Sequence, residues 1–110
     1  MPTATYKVLA QSAPSATTAT NVYTVAASTQ VIISSIVVCN RAAASATYRI
    51  AIRPNGATLA NEHYIVYDGA LPASDTITLT IGITADAADV VTVYASSANL
   101  SFNLFGSEIA

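Results

Sequence analysis

Residues 89–109 read DVVTVYASSANLSFNLFGSEI. Two runs of β-branched and aromatic residues, the types that favour strands, flank the pair Ser96-Ser97. In the first run Val91, Val93 and Ala95 fall on one side, with Val90, Thr92 and Tyr94 on the other. In the second, Leu100, Phe102 and Leu104 oppose Ser101, Asn103 and Phe105. An apolar period of two is the mark of a half-buried strand. The reading is therefore two strands, 89–95 and 99–106, joined by a very tight turn. Nothing in the stretch resembles a catalytic motif.

The same period recurs upstream. In DTITLTIGIT, Ile77, Leu79, Ile81 and Ile83 share a face opposite Thr76, Thr78, Thr80 and Thr84, which predicts one strand over 75–83. In TYRIAIR, Tyr48, Ile50 and Ile52 oppose Arg49, Ala51 and Arg53. QVIISSIVVCN is apolar on both faces and reads as a central strand or one covered by a neighbour. Further strands are expected at 4–9, 20–25, 46–53 and 62–67. In Arg53-Pro54-Asn55-Gly56, Pro fixes one φ and Asn-Gly supplies positive φ, which predicts a turn. Asp68-Gly69, Pro72 to Asp75 and Ala85 to Asp89 mark other connections. About eight short strands at regular spacing predict a single all-β domain over residues 1–110, an antiparallel β-sandwich of jelly-roll-like form. Residues 11–21, rich in Ala, Ser and Thr with Pro14, read as a loop or an arm that orders against a partner.

Composition narrows function more than it names it. Of 110 residues, 53% are hydrophobic and only 9% charged, against about 25% charged in an average soluble domain. So sparse a charge points to a surface partly covered by other subunits. The four basic residues, Lys7, Arg41, Arg49 and Arg53, are too few for a phosphate-neutralising stripe, so no nucleic-acid partner is expected. No apolar run is long enough to span a membrane, and MPTATYKVLA lacks the pattern of a signal peptide. The single cysteine, Cys39, precludes an intrachain disulfide and a CxxC site.

No catalytic, cofactor-binding or metal-binding residues are assigned. His63, the only histidine, reads as a polar residue at a strand start, since no GxSxG elbow accompanies it. Cys39 reads as a small hydrophobe late in an apolar strand. Asp86 and Asp89 read as turn caps, which outweighs a calcium site built on two carboxylates. Arg49 and Arg53 read either as a solvated edge or as donors to acidic turns of a neighbouring subunit. Tyr64, Tyr67 and Tyr94 could form a sugar-stacking platform, though Trp is absent and Tyr is equally common at interfaces. The candidate interface is Arg41, Arg49, Arg53, Asn55, Glu62, Tyr64 and Tyr67, drawn from this strand, the residues before it and the 54–62 loop.

Three segments carry a family resemblance: YKVLAQSAPSATTATNVYTV, VVCNRAAASATYRIAIRPNGATLANEHYIVYD and DVVTVYASSANLSFNLFGSEI. They resemble small virion structural proteins of tailed bacteriophages, especially those of cyanobacterial and marine phage genomes. The most distinctive pieces are VCNR, IAIRPNGATLANEHYI and NLSFNLFGSEI. DVVTVYAS is also similar to the late strand of many jelly rolls, trimeric fibre heads and tumour-necrosis-factor-like domains among them. The resemblance implies a non-enzymatic protein made in the host cytoplasm and located in the virion. It implies a homo-oligomer, a trimer, whose partners are the major capsid protein or other virion proteins, with no membrane. One role it allows is a capsid cement or decoration protein bridging neighbouring subunits. The other is a neck, tail, baseplate or short fibre component in contact with a host polysaccharide.

Overall fold

A computed structural model of the chain describes residues 3–110. Its strands are β1 (Ala4–Ser12), β2 (Thr20–Thr24), β3 (Gln30–Asn40), β4 (Ala46–Arg53), β5 (Tyr64–Leu71), β6 (Thr76–Leu79), β7 (Ile83–Ala85), β8 (Val90–Ala95) and β9 (Leu100–Ile109). One sheet runs β1-β9-β3 and then β6 and β7, which pair with β3 in succession. The other runs β2-β8-β4-β5. All pairs are antiparallel. The chain passes repeatedly from one sheet to the other, and this alternation with these strand orders is the jelly roll expected from the sequence.

The inward sides follow the predicted alternation. Leu100, Phe102 and Leu104 of β9 are fully buried, as are Val91, Val93 and Ala95 of β8 and Tyr48 and Ile50 of β4. With Val31, Ile33, Ile36 and Val38 of β3 they form one apolar cluster between the sheets. β3 is central, between β9 and β6/β7, as its two apolar faces required.

Three expectations change. The strands of residues 89–109 are not partners: β8 and β9 lie in opposite sheets, and Ser96-Ser97 opens a link between layers. Ser96 ties that link to β4, its N–H donating to the Thr47 carbonyl and its hydroxyl accepting from the Thr47 N–H, both at 2.9 Å. The strand expected over 75–83 breaks at Thr80–Gly82, where Gly82 has φ +64° and Ile81 turns outward, 56% exposed. The break arises because β6 and β7 pair with two separate stretches of β3, Ile36–Cys39 and Val31–Ile33, either side of a bulge in β3. Asp68-Gly69 does not end β5; Asp68, at φ 51°, sits in a bulge opposite Arg49, and the strand continues to Leu71. Residues 11–21, read as a loop or an arm, form a loop in the isolated chain between the ends of β1 and β2. Gln11 and Ser12 pair with β9, Pro14 is buried and the Thr17 N–H donates to Ala95.

Two details fix the frame. Opposite Phe105 both neighbours of β9 carry an extra residue, Leu9 in β1 and Ser34 in β3. Ser34 steadies the irregularity by donating its hydroxyl to the Phe105 carbonyl at 3.1 Å. Beside it, a Cβ on Gly106 would lie 2.0 Å from the Ile32 carbonyl oxygen, so only glycine permits the two backbones to approach so closely. At the end of β3, buried Asn40 shares its amide N–H groups among the carbonyls of Ala44, Leu71 and Pro72 at 2.9, 3.3 and 3.2 Å. Its side-chain oxygen accepts from the Ala42 N–H at 3.0 Å. One side chain thus holds the β3–β4 and β5–β6 connections together. Asn40→Ala should cost about 2–3 kcal/mol, because it strands buried carbonyls, and Gly106→Ala about 1–3 kcal/mol by overpacking. Urea unfolding of each variant checks both values, with a surface change such as Thr58→Ala as the near-neutral reference.

Candidate functional site

The outer face of the β2-β8-β4-β5 sheet gathers most of the residues proposed from sequence. β4 projects Arg49, Ala51 and Arg53 outward, and β8 projects Thr92 and Tyr94. The guanidinium of Arg49 lies over the rings of Tyr67 and Tyr94, 4.2 and 4.3 Å from their centroids. Asp68 holds it edge-on, with Nε at 2.6 Å from Oδ1 and Nη2 at 3.3 Å from Oδ2. This bidentate pairing raises the Arg49 pKa above its ordinary value. The bulge at Asp68 makes the arrangement possible by placing both Tyr67 and Asp68 opposite one arginine. Tyr64 meets Tyr67 edge to face, with centroids 4.9 Å apart.

Arg53 adds a second polar group at the same face. Its Nε donates to Thr92 Oγ1 at 3.1 Å, and its Nη2 and the Thr92 hydroxyl both donate to Asn21 Oδ1 at 2.9 Å. Thus β4, an interior strand of its sheet, is no solvated edge, and the partners of Arg49 and Arg53 are supplied by the same chain. Asn55 has φ 53°, as the turn reading required, and its N–H donates to Asp89 Oδ1 at 2.8 Å. Glu62 is exposed in the 3₁₀ turn Asn61–His63. Arg41 stands apart: it precedes β4 while Arg53 ends it, and its guanidinium donates to the Ala98 carbonyl at 3.1 Å at the opposite end of the sandwich.

His63, Asp86 and Asp89 serve local structure. His63 Nδ1 accepts from the Ala60 N–H at 3.0 Å and closes its turn. Asp89 Oδ2 accepts from the Asp86 N–H and Asp86 Oδ1 from the Ala87 N–H, both at 2.8 Å, which is the capping role read from the sequence. Among the described residues, no group of three or more His, Cys, Asp or Glu could hold a metal ion, and no helix is long and apolar enough to cross a membrane.

The opposite outer face was missed in the sequence. On β1, β9 and β3 the outward residues include Tyr6, Val8, Ile32, Phe105 and Ile109. Tyr6 is 86% exposed, Val8 46% and Ile32 43%. Tyr6 and Ile32 line a hollow of about 480 Å³ together with Phe105, Ile109, Ser34 and Lys7, and Val8 is exposed on the same face outside it. Alternation in QVIISSIVVCN hinted at a second apolar face, but which neighbour would cover it was not legible. Beside this face, Glu108 Oε1 accepts from Lys7 Nζ at 3.1 Å, and its Oε2 accepts a short bond from the Tyr23 hydroxyl of the other sheet.

No protein-family model matches the chain, and no curated protein or solved structure is significantly similar to it.

The Tyr23–Glu108–Lys7 bridge gives a pH prediction. The Tyr23 hydroxyl, and then Lys7, hold the Glu108 pKa below its ordinary 4.5. Its contribution to stability is therefore present above that value and lost as pH falls through the lower folded-state pKa. Burial, and then Glu108, raise the Tyr23 pKa above its ordinary 10.0, so its contribution is lost as pH rises beyond 10. Tyr23→Phe should lower the melting temperature near pH 7 and flatten its decline towards acid, as measured by circular dichroism melts across pH 2.5–7.

Proposed function

We propose that this chain is a non-enzymatic structural protein of a tailed-bacteriophage virion. In this reading it is made in the host cytoplasm, forms a trimer and acts as a capsid cement or decoration protein that bridges neighbouring head subunits. The observation that carries the reading is the apolar outer face of β1-β9-β3. Tyr6 and Ile32 stand exposed together around one hollow, with Val8 exposed on the same face, in a chain with only ten Lys, Arg, Asp and Glu side chains. Contiguous exposed apolar surface of this kind marks an interaction site. Symmetric assembly would cover it and shelter the free edges at β1, β2 and β5.

The physical setting favours the same role. A virion protein must hold its contacts when the medium changes. Apolar contact is insensitive to the salt screening that weakens exposed ion pairs. The described ion pairs number two, Lys7–Glu108 and Arg49–Asp68, and both are internal to the chain.

Copy number per purified virion, by quantitative mass spectrometry, tests the proposal. A cement protein is expected in hundreds of copies, and particles lacking it should lose head integrity at a lower temperature. A few dozen copies or fewer would move the protein to the neck, tail or fibre. Its absence from particles would overturn the virion reading.

A further inference from the structure

On the β2-β8-β4-β5 face two hollows adjoin at Tyr64. One, of about 490 Å³, opens at Asn61, Tyr64 and Tyr67. The other, of about 160 Å³, continues from Tyr64 to Tyr94, Thr92 and Arg49, with Leu59 and Ala19 at its rim and Ala51 among its lining. Small-molecule sites typically measure roughly 300–1,000 Å³. Tyr64 therefore stands within a trough that has room on both sides. Tyr67 stays 59% exposed although Arg49 covers part of its ring.

We infer that this trough is a binding site for a neutral saccharide chain, recognised by Tyr64, Tyr67 and Asn61. The chemistry of the lining selects that class. Arg49, the one charged side chain lining these hollows, is already paired with Asp68 through two hydrogen bonds, so the lining offers a charged ligand no unpaired countercharge. A wholly apolar ligand would strand the Asn61 amide and the tyrosine hydroxyls without partners. A pyranose satisfies both constraints, because its C–H face stacks on an aromatic ring while its hydroxyls reach amide and phenol groups.

The site is also rigid before any ligand arrives. Tyr67 is held by the Arg49 guanidinium over its ring and by a T-shaped contact with Tyr64. Arg49 is fixed in turn by Asp68 and Tyr94. Binding therefore orders few side chains, which lowers its entropic cost. Arg49 acts as a positioning residue, holding a ring that touches the sugar. A proline-rich peptide also docks on aromatic grooves, but the two rings here stand at 87° to each other and do not form the parallel walls that would grip it. This inference does not rest on the virion reading.

An array of neutral and uronic-acid oligosaccharides, followed by calorimetric titration of the strongest neutral hit, tests it on the full chain. Cellohexaose, mannohexaose and a proline-rich decapeptide are included as defined probes. We expect at least one neutral oligosaccharide to bind, tenfold or more weakly to Tyr64→Ala and to Tyr67→Ala, with Tyr67→Phe, which keeps the ring and loses one hydroxyl, weakened only a few-fold. Tyr6→Ser, on the other sheet, should bind as the parent does, and circular dichroism melts confirm that each variant folds. If an alanine variant fails to fold, Asn61→Ala, at an exposed turn position, replaces it with an expected several-fold loss. Three results would each overturn the inference: no neutral oligosaccharide bound, acidic glycans or the peptide bound in preference, or binding unchanged in the tyrosine and Asn61 variants.

Discussion

The contact on which everything else depends lies between the two inward faces. Leu100, Phe102 and Leu104 of β9 and Ile33, Ile36 and Val38 of β3 form one cluster with Val91 and Val93 of β8 and Ile50 of β4. All are buried, and none carries a polar side-chain atom that needs a partner. Burial of such side chains contributes about 1.5–3 kcal/mol each. That interior is closed without an intrachain disulfide, since Cys39 is the single cysteine. What distinguishes the molecule is therefore arranged on the two outward faces, which the interior holds in place.

Those faces differ in kind because the few charges are distributed unevenly. Arg49, Arg53 and Asp68 all belong to one outer face, where rings and hydroxyls satisfy them. The other face carries Tyr6, Val8, Ile32 and Phe105, with the Lys7–Glu108 pair at its margin. The first is a polar aromatic surface with its hydrogen bonds already set. The second is an apolar surface whose exposure costs free energy until something covers it. The proposed virion role, packing by one face and presenting the other to the surroundings, would use this asymmetry.

The fold was legible because the period-two pattern is strong wherever one side of a strand meets the interior. β4, β8 and the first half of β9 show it in full. What the pattern could not convey was pairing. Ser96-Ser97 looks like a hairpin turn, yet the link it opens joins strands of opposite sheets, and alternation is the same in either case. The break at Thr80–Gly82 was hidden because Ile81 keeps the apolar rhythm while its backbone leaves the ladder. Asp68 reads as turn chemistry, and it does take positive φ, but in a bulge. The arginines stood out because charges are scarce and the tyrosines as a possible stacking platform, whereas their assembly around Arg49 depends on that bulge. The apolar face was missed because Tyr6 and Ile32 are far apart in sequence and share a face only through the pairing of both strands with β9.

The central claim is that this chain works through surfaces it presses on its own copies. Sedimentation equilibrium of the isolated protein over a wide concentration range, beside a Tyr6→Glu/Ile32→Glu double variant, tests it most directly. Both side chains point outward, so the variant should melt like the parent. The account predicts a self-associating parent and a monomeric variant. A parent that stays monomeric at the highest concentration, or a variant that associates equally well, would contradict it.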